Sequence, residues 1–308
     1  MKEMKLSVLM SVYNGMPYLP DAVQSILAQS YKDFDFVIID DGSSDGSFDY
    51  LKSLDDERIR LFHQENQGLG AALNFGLEKI DTEFVARMDA DDIAVETRLE
   101  KQINRMTTDS DLVMLGTGIA FTLDGNKTAF PPPMPTEHKD ISAVLNTGGH
   151  AISHPTIMCK TNIMKKIGSY RISGVGQDWD LFLRMTEAGK VANLSEVLLH
   201  YRLHESSNAW SSSKKVNIGK KYALAAAKAR RLNEEEPGKD EFINNYGLKN
   251  RFSAFTNSIM SFSDNAYRVA ILNSLKSNKV KMIVAILLSS VSNPKKVYLY
   301  LKRKINNI

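Results

Sequence analysis

The sequence FDFVIIDDGSSDG occupies residues 34–46 and sets the expectation for the fold. Its first half is a short apolar run with β-branched members, which is typical of a buried strand. Its second half consists of acids, glycines and serines, which favour turns. The same change from apolar strand to acids occurs at residues 84–92, FVARMDADD. Two predicted strands therefore end in clusters of carboxylates.

Around these two segments, the first 120 residues alternate between strand-like and helix-like patterns. Apolar runs that predict strands lie at 6–12, 34–39, 59–62, 84–88 and 112–121. Helical spacing of apolar residues lies at 19–28, 47–54, 70–80 and 95–106. Strands and helices that alternate at this spacing predict βαβ units. We therefore expect an α/β fold with a mainly parallel, Rossmann-like sheet flanked by helices. Later predicted elements are a helix near 140–145, a strand at 155–159, a helix at 179–188 and apolar segments at 191–194 and 197–203.

Charge is distributed unevenly along the chain. The whole chain carries +3, yet residues 214–308 hold 19 Lys and Arg against 6 Asp and Glu, and residues 1–213 are correspondingly acidic. We therefore predict an α/β domain at 1–213 and a basic, helical C-terminal region at 214–308. The basic helices are expected either to contact an anionic membrane surface or to form a packed subdomain or oligomer interface. A nucleic-acid partner is not expected.

Several classes of protein do not fit the sequence. Cys159 is the single cysteine, so the chain cannot form an internal disulfide, and the charged N-terminus lacks the apolar core of a signal peptide. No stretch holds the roughly 20 apolar residues that span a bilayer. The loop YNGMP at 13–17 lacks the glycine fingerprint of dinucleotide-binding dehydrogenases. We expect a cytoplasmic protein, with peripheral attachment to the inner face of the cytoplasmic membrane as a hypothesis.

The acid clusters indicate the chemistry of the predicted site. In open α/β sheets, ligands bind at the carboxyl ends of the strands, where both clusters lie. Hard carboxylate oxygens spaced two residues apart suit Mg²⁺ or Mn²⁺, and these ions also bind phosphate oxygens. A metal that joins these protein carboxylates to a diphosphate is a natural hypothesis. The competing explanations are a plain turn at 40–46 and an N-cap role for Asp92.

Short motifs follow one another in a fixed order along residues 5–210. They are SVYN at 11–14, DDGSSD at 40–45, NQGLG at 66–70, DADD at 89–92, HPT at 154–156, QDWDL at 177–181 and YRLH at 201–204. In this order and spacing they resemble the inverting glycosyltransferase family 2, bacterial surface-polysaccharide enzymes above all. The resemblance implies the nucleotide-diphospho-sugar transferase fold and Mg²⁺- or Mn²⁺-assisted transfer of a sugar. The implied donor is a nucleotide-diphospho-sugar, most often a UDP-sugar, and the implied acceptor is a glycan or a lipid-linked glycan.

The resemblance also implies a role for each matching residue. The residues expected to bind the nucleotide are Ser11, Val12, Tyr13, Asp40, Asp41, Gly68, Asp89 and Ala90. Asp91 and His204 are expected to hold the metal, and Asp178 is expected to be the catalytic base. Gln177 stands where many relatives have Glu, and its neutral amide cannot be a base, which favours Asp178. The competing explanation for Asp178 is an N-cap of the following helix.

Two alternative functions remain at this stage. One is a catalytically silent nucleotide-sugar or membrane-binding protein of the same fold, which would explain the basic C-terminal region but not the acids at two strand ends. The other is a sugar nucleotidyltransferase, which typically has a glycine-rich basic loop after the first strand. Residues 13–17 do not form such a loop.

Overall fold

The computed structural model describes residues 5–123, 128–171, 176–204 and 213–242. Its strands are β1 (Leu6–Val12), β2 (Phe34–Asp40), β3 (Ile59–His63), β4 (Phe84–Asp89), β5 (Ile93–Ala94), β6 (Leu112–Thr122), β7 (Thr128–Ala129), β8 (Met158–Lys160) and β9 (Lys190–Arg202). Its helices are α1 (Leu19–Leu27), α2 (Ser47–Lys52), α3 (Leu69–Glu78), α4 (Arg98–Thr108), α5 (His138–Asn146), α6 (Thr161–Lys166), α7 (Gln177–Ala188) and α8 (Ser213–Arg231). A 3₁₀ helix covers His154–Thr156.

The chain divides into two compact units. The first unit comprises residues 1–119 and 134–201 and holds the strand order β3-β2-β1-β4-β8-β6-β9-β5. Pairing is parallel from β3 through β2 and β1 to β4, and antiparallel where β4 meets β8 and β8 meets β6. The predicted α/β fold with a mainly parallel sheet flanked by helices is confirmed.

Three of the parallel strands, β1, β2 and β4, are buried because helices cover the sheet. All seven residues of β1 except Ser11 are buried, and β2 is buried except at Asp35. Strands covered on both faces have near-continuous apolar sequences, which is why these runs predicted strands correctly. Helix α3 packs on β1 and β2, and at Gly76 an added Cβ would lie only 2.3 Å from Leu9 Cδ1. Glycine therefore permits the close approach of this helix to the sheet.

The register brings the acidic strand ends to one edge. Val12 pairs with Asp40 and Asp40 with His63, while Ser11 pairs with Asp89. Strand order also reverses here, because the chain runs outward from β1 through β2 to β3 and then returns to place β4 on the other side of β1. Such a switch point opens a crevice at the carboxyl ends of the strands, where ligands bind in folds of this kind.

Three element predictions need correction. The predicted strand at 155–159 is a 3₁₀ turn followed by the shorter β8, because Pro155 starts a turn and cannot donate to a ladder. The helix predicted from Val95 begins at Arg98, after the short strand β5. The two apolar segments at 191–194 and 197–203 form one strand, β9, whose exposed Ser195 and Glu196 interrupt the apolar pattern.

The second unit comprises residues 120–133 and 202–308. Within it, Phe121 at the end of β6 pairs with Ala129 of β7, and the Leu203 N–H donates to the Thr122 carbonyl (2.7 Å). Helix α8 confirms the helix predicted at the start of the basic region. The helices predicted beyond residue 242 lie outside the described residues, so the domain boundary after 213 stays a prediction. None of the described helices is long and apolar enough to cross a bilayer.

Candidate active site

The loops that follow β1 and β2 are tied together by hydrogen bonds. The Asn14 N–H donates to Ser43 Oγ (3.0 Å), and the Ser44 N–H donates back to Asn14 Oδ1 (2.8 Å). The Met16 N–H donates to Asp45 Oδ2 (2.9 Å). Asn14 has a φ of 51°, a left-handed conformation that asparagine tolerates. These bonds hold the two loops as one fixed rim at the edge of the sheet.

Tyr13 stands on this rim with 56% of its surface exposed. A large exposed aromatic ring beside a crevice offers a flat face on which a planar ligand can stack. Its neighbours in the sequence are Ser11, which is half-buried, and Val12, which is fully buried. Behind the rim, a Cβ added to Gly15 would lie 3.6 Å from Ala90 Cβ, so the loops after β1 and β4 touch.

Asp45 is the acid that fastens the rim. Its Oδ1 accepts hydrogen bonds from the Ser47 N–H (3.0 Å) and hydroxyl (2.6 Å), and its Oδ2 accepts from the Met16 N–H. Burial acts to raise the pKa of Asp45, but these hydrogen bonds outweigh it and hold the pKa below the ordinary value of 3.8. Asp45 therefore stays ionised and keeps the loops joined at neutral pH.

Asp41 fixes the start of α3. Its carboxylate accepts from the Gln67 N–H (3.0 Å), the Gly68 N–H (2.9 Å) and the Gln64 side-chain amide (2.6 Å). Gly68 has a φ of 86°, which glycine adopts without strain. Asp41 is 1% exposed, so it acts in this structure as an internal brace for the loop before α3.

Asp40, the last residue of β2, immediately precedes Asp41 and is fully buried. His63 Nδ1 donates to its Oδ2 (2.8 Å), and the exposed imidazole lies 4.5 Å from the Phe48 ring, measured between centroids. Asp40 Oδ1 is buried and has no hydrogen-bond partner among the described residues. The expected contacts of Asp40 and Asp41 with a nucleotide base stay predictions.

The acid cluster after β4 is compact. One carboxylate oxygen from each of Asp89, Asp91 and Asp92 lies within 4.8 Å of the others. Burial raises the pKa of Asp89; the ion pair with Arg87 opposes this effect, and the like charge of Asp91 adds to it. Three close carboxylates offer hard oxygen ligands, which suit Mg²⁺ or Mn²⁺.

Two buried arginines support this cluster. Arg87 is 4% exposed and pairs with Asp89. Arg98 is fully buried and donates to the Arg87 carbonyl (2.6 Å), to Met88 Sδ (3.4 Å) and to Gln102 Oε1 (3.0 Å). Burial lowers the pKa of Arg98 to about 9, so it remains charged at neutral pH. The two guanidinium groups offset part of the negative charge of the cluster.

The N-cap explanations for Asp92 and Asp178 are wrong. Helix α4 is capped at Thr97, five residues after Asp92. Helix α7 begins at Gln177, and its cap position is Gly176, which has a φ of 94°. Asp178 is therefore inside the first turn of α7, with its side chain half-exposed.

Tyr170 interacts electrostatically with both Asp89 and Asp178. Burial raises the pKa of its hydroxyl, Arg87 opposes this effect, and the carboxylates of Asp89 and Asp178 both add to it. Both acids thus lie near enough to act on the same phenol. The hydroxyl lies 2.7 Å from His154 Nε2. Burial, together with the charge of Arg87, lowers the pKa of His154 well below 6.5, so the imidazole that shares this hydrogen bond is neutral.

Comparison with known proteins identifies the family. The family model for glycosyl transferase family 2 matches residues 7–168, more than half of the chain. This chain belongs to glycosyltransferase family 2. It is 34% identical over 215 residues to the O-antigen biosynthesis glycosyltransferase WbnJ of Escherichia coli, over 67% of this chain and 83% of the relative. The chain is therefore a glycosyltransferase.

Solved structures share the fold of this glycosyltransferase. S. aureus TarS 1-349, in complex with UDP-GlcNAc, superposes with a TM-score of 0.62 at 18% identity, covering 96% of this chain and 89% of TarS 1-349. The mannosyltransferase PcManGT of Pyrobaculum calidifontis, in complex with GDP-Man and Mn²⁺, gives 0.55 at 15% identity, covering 95% and 88%. At these identities the likeness is one of fold.

The remaining predicted residues of the glycosyltransferase lie beyond the matched segment. Asp178 follows residue 168 and is in the first unit, on α7. His204 belongs to the second unit and is the last described residue before the gap at 205–212. Its expected role as a metal ligand stays a prediction, as do the roles of Asp91 and Asp178.

Asp180 has a structural role in the glycosyltransferase. Its fully buried carboxylate accepts from Arg184 Nε (2.9 Å) and Nη2 (2.7 Å) and from Arg171 Nη2 (3.0 Å). Burial acts to raise the pKa of Asp180, but the arginines outweigh it and hold the pKa below 3.8. The sequence analysis did not predict this network, nor the burial of Arg98 and Gln102. A helical sequence pattern does not distinguish a buried arginine from one exposed to solvent.

Asp180→Asn is expected to lower the free energy of unfolding by about 3–5 kcal/mol, since it leaves the buried guanidinium of Arg184 without its counter-charge. Urea denaturation at pH 7 measures this loss. Because the folded pKa of Asp180 is depressed, its contribution is present above the ordinary aspartate pKa and is lost as the pH falls through the folded value. The difference between variant and wild type should therefore narrow below pH 3.8. A constant difference would contradict this assignment.

Proposed function

We propose that this glycosyltransferase moves a sugar from a nucleotide-diphosphate donor, a UDP-sugar, to a hydroxyl of a glycan or lipid-linked acceptor in surface-polysaccharide synthesis. The observation that carries the proposal is the Asp89–Asp91–Asp92 cluster at the switch point of the sheet, next to the rim that bears Tyr13. The O-antigen name of the Escherichia coli relative supports the product class. The UDP-GlcNAc complex of TarS 1-349 supports the donor class.

The donor nucleotide fits the rim. The exposed Tyr13 ring would stack on the base, with Ser11 and Val12 beside it, and the Asp40–Asp41 pair would supply acceptors behind it. The Gln67 and Gly68 N–H groups donate to Asp41, so this acid fixes the position of the loop that would approach the nucleotide. Ala90 and Asp89 follow on the β4 side, where the ribose would lie. Each of these assignments is part of the proposal.

The chain's residues fit a divalent cation. The ligands would be Asp91, together with Asp89 and Asp92, since one carboxylate oxygen of each lies within 4.8 Å of the others. When bound, such an ion neutralises the negative charge that develops on the leaving nucleotide diphosphate. The protein's own contribution is the ion pair of Arg87 with Asp89, which opposes the effect of burial on the pKa of that carboxylate. The Mn²⁺ in the PcManGT complex supports this choice of cofactor.

Asp178 is the proposed base. Its half-exposed carboxylate would take the proton from the acceptor hydroxyl as the oxygen attacks the anomeric carbon from the side opposite the diphosphate. The bond from the anomeric carbon to the diphosphate oxygen breaks in the same step, so the configuration at that carbon is inverted. Gln177, the neighbouring residue, is 6% exposed and carries no charge, so it cannot replace Asp178 in this role.

The basic C-terminal region would hold the enzyme near its acceptor. Residues 214–308 carry 19 Lys and Arg against 6 Asp and Glu, which favours contact with anionic lipid headgroups. A lipid-linked acceptor presents its sugar at that surface. We therefore place the enzyme at the inner face of the cytoplasmic membrane, as a peripheral protein.

The proposed function predicts selective release of one nucleotide. The purified protein should release UDP from a UDP-sugar when Mn²⁺ or Mg²⁺ and a glycan acceptor are present, and EDTA should abolish the release. GDP- and dTDP-sugars are the matched alternatives in the same assay. Release of GDP or dTDP alone would overturn the UDP assignment, and pyrophosphate-dependent nucleotide formation would identify a nucleotidyltransferase.

A further inference from the structure

A two-way hydrogen bond joins α3 to the segment that leads to α7. Asn74 Nδ2 donates to the Tyr170 carbonyl (2.9 Å), and the Tyr170 N–H donates to Asn74 Oδ1 (3.0 Å). The side-chain amide thus pairs with the N–H and the C=O of one residue, as a residue of a neighbouring antiparallel strand would. The two residues are 96 positions apart in the sequence. We call this pair the Asn74 clamp.

At one end, the clamp is attached to α3, the helix that follows the Gly68 loop, which is the proposed nucleotide loop. Helix α3 begins at Leu69, directly after the loop that Asp41 holds through the Gly68 N–H. Asn74 lies five residues further along the helix, which is about 8 Å along its axis. Because an α-helix is stiff over this length, the position of Asn74 follows the position of the Gly68 loop.

At the other end, the clamp is attached to the segment around Tyr170, which α7, the helix that carries Asp178, holds in place. The segment 167–171 has an irregular backbone, with left-handed φ values of 88° at Gly168 and 49° at Ser169. Arg184 of α7 donates to the Ile167 carbonyl (2.7 Å) and the Ser169 carbonyl (2.6 Å). A non-glycine residue at positive φ is costly unless its surroundings hold it, and here both helices do so.

Side-chain packing strengthens the second half of this connection. The Tyr170 hydroxyl is hydrogen-bonded to His154, whose ring packs edge-on against Phe182 of α7 at 6.0 Å between centroids. Asp178 lies one turn before Phe182 on the same helix and acts electrostatically on Tyr170. A displacement of Tyr170 would therefore be transmitted to the helix that carries the proposed base.

We propose that Asn74 is a positioning residue, which sets the distance between the nucleotide loop and the Asp178 helix. It touches neither substrate in this account and acts only through Tyr170. This inference rests on the proposed function, since it assigns the donor to the Gly68 loop and the base to Asp178. Misplacing a reacting group by about 1 Å can lower a rate by about 100-fold. A break in the clamp should therefore affect turnover more than donor binding.

The test is Asn74→Ala, with Asn104→Ala on α4 as the matched control. Asn104 is an exposed asparagine in a helix, so its replacement controls for the loss of an amide. We expect kcat to fall about 10- to 100-fold in Asn74→Ala, while the Kd for UDP with Mn²⁺ changes by no more than about twofold. Faster hydrogen exchange at the Tyr170 amide reports, independently of activity, that the clamp has opened.

Each outcome is decisive. If the Tyr170 amide exchanges faster and kcat is unchanged, the positioning role is overturned. If kcat and UDP affinity fall together with the melting temperature, the role of Asn74 is one of general stability and the proposal is also overturned. A wild type that binds no nucleotide contradicts the proposed function itself, which separates the two failures. Asn74→Ser, which keeps a short polar side chain, replaces Asn74→Ala in the same comparison if the alanine variant does not fold.

Discussion

Asp178→Asn is expected to lower kcat by about 100- to 10,000-fold, the usual contribution of a general base. The amide keeps the shape of the side chain but cannot accept the proton of the acceptor hydroxyl. Binding of UDP in the presence of Mn²⁺ should remain, because Asp178 lies on α7 and not among the acids after β4. Initial rates of UDP release at saturating donor and acceptor measure the effect.

The control for this variant is Glu187→Gln, which makes the same chemical change on the exposed face of α7. Its kcat should match the wild type. Turnover of Asp178→Asn within a few-fold of the wild type would remove Asp178 as the base. Loss of UDP binding in Asp178→Asn, with the fold retained, would instead assign Asp178 to the donor site.

Asp91→Asn is expected to lower kcat/KM by about 100-fold or more, since a bound cation stabilises the leaving diphosphate by several kcal/mol. Asp91 is the central acid of the cluster and the proposed metal ligand, and an amide oxygen is a much weaker ligand for a divalent ion. The variant should also need a higher Mn²⁺ concentration to reach half of its maximal rate. A titration of the rate against Mn²⁺ measures both effects.

Asp81→Asn is the control for the cluster. Asp81 precedes the same strand, β4, at its amino end, and its side chain is 97% exposed. Its replacement should leave the Mn²⁺ dependence unchanged. If Asp91→Asn responds to Mn²⁺ as the wild type does, the cation does not bind at this cluster, and the metal assignment fails.

Sequence patterns predicted the parallel half of the sheet well. Strands β1, β2 and β4 are buried and mostly apolar, and the acids at the ends of β2 and β4 are easily recognised because each follows an apolar run. Once these strands are placed in parallel, their carboxyl ends must share an edge. The convergence of Asp40 and Asp89 could therefore be predicted without coordinates.

Other features could not be predicted from local pattern. Arg98 and Arg184 have the spacing and charge of solvated helix residues, yet both are buried because carboxylates and carbonyls from distant segments surround them. The Asn74 clamp joins residues that only the folded chain brings together. The short helix α6 follows β8 directly and has too few residues for a helical period to stand out. Long-range partners, and not local propensity, determine these features.

Calorimetric titration of the full chain with UDP, with and without Mn²⁺, tests the proposed donor site, and GDP and dTDP serve as comparisons. In the proposed site the nucleotide lies on the rim that bears Tyr13, and the diphosphate lies on a cation held by the acids after β4. We therefore expect one-to-one binding of UDP that requires Mn²⁺ and is weakened in Asp91→Asn. UDP binding of equal strength without any divalent ion, or no binding of any of the three nucleotides to the folded protein, would contradict it.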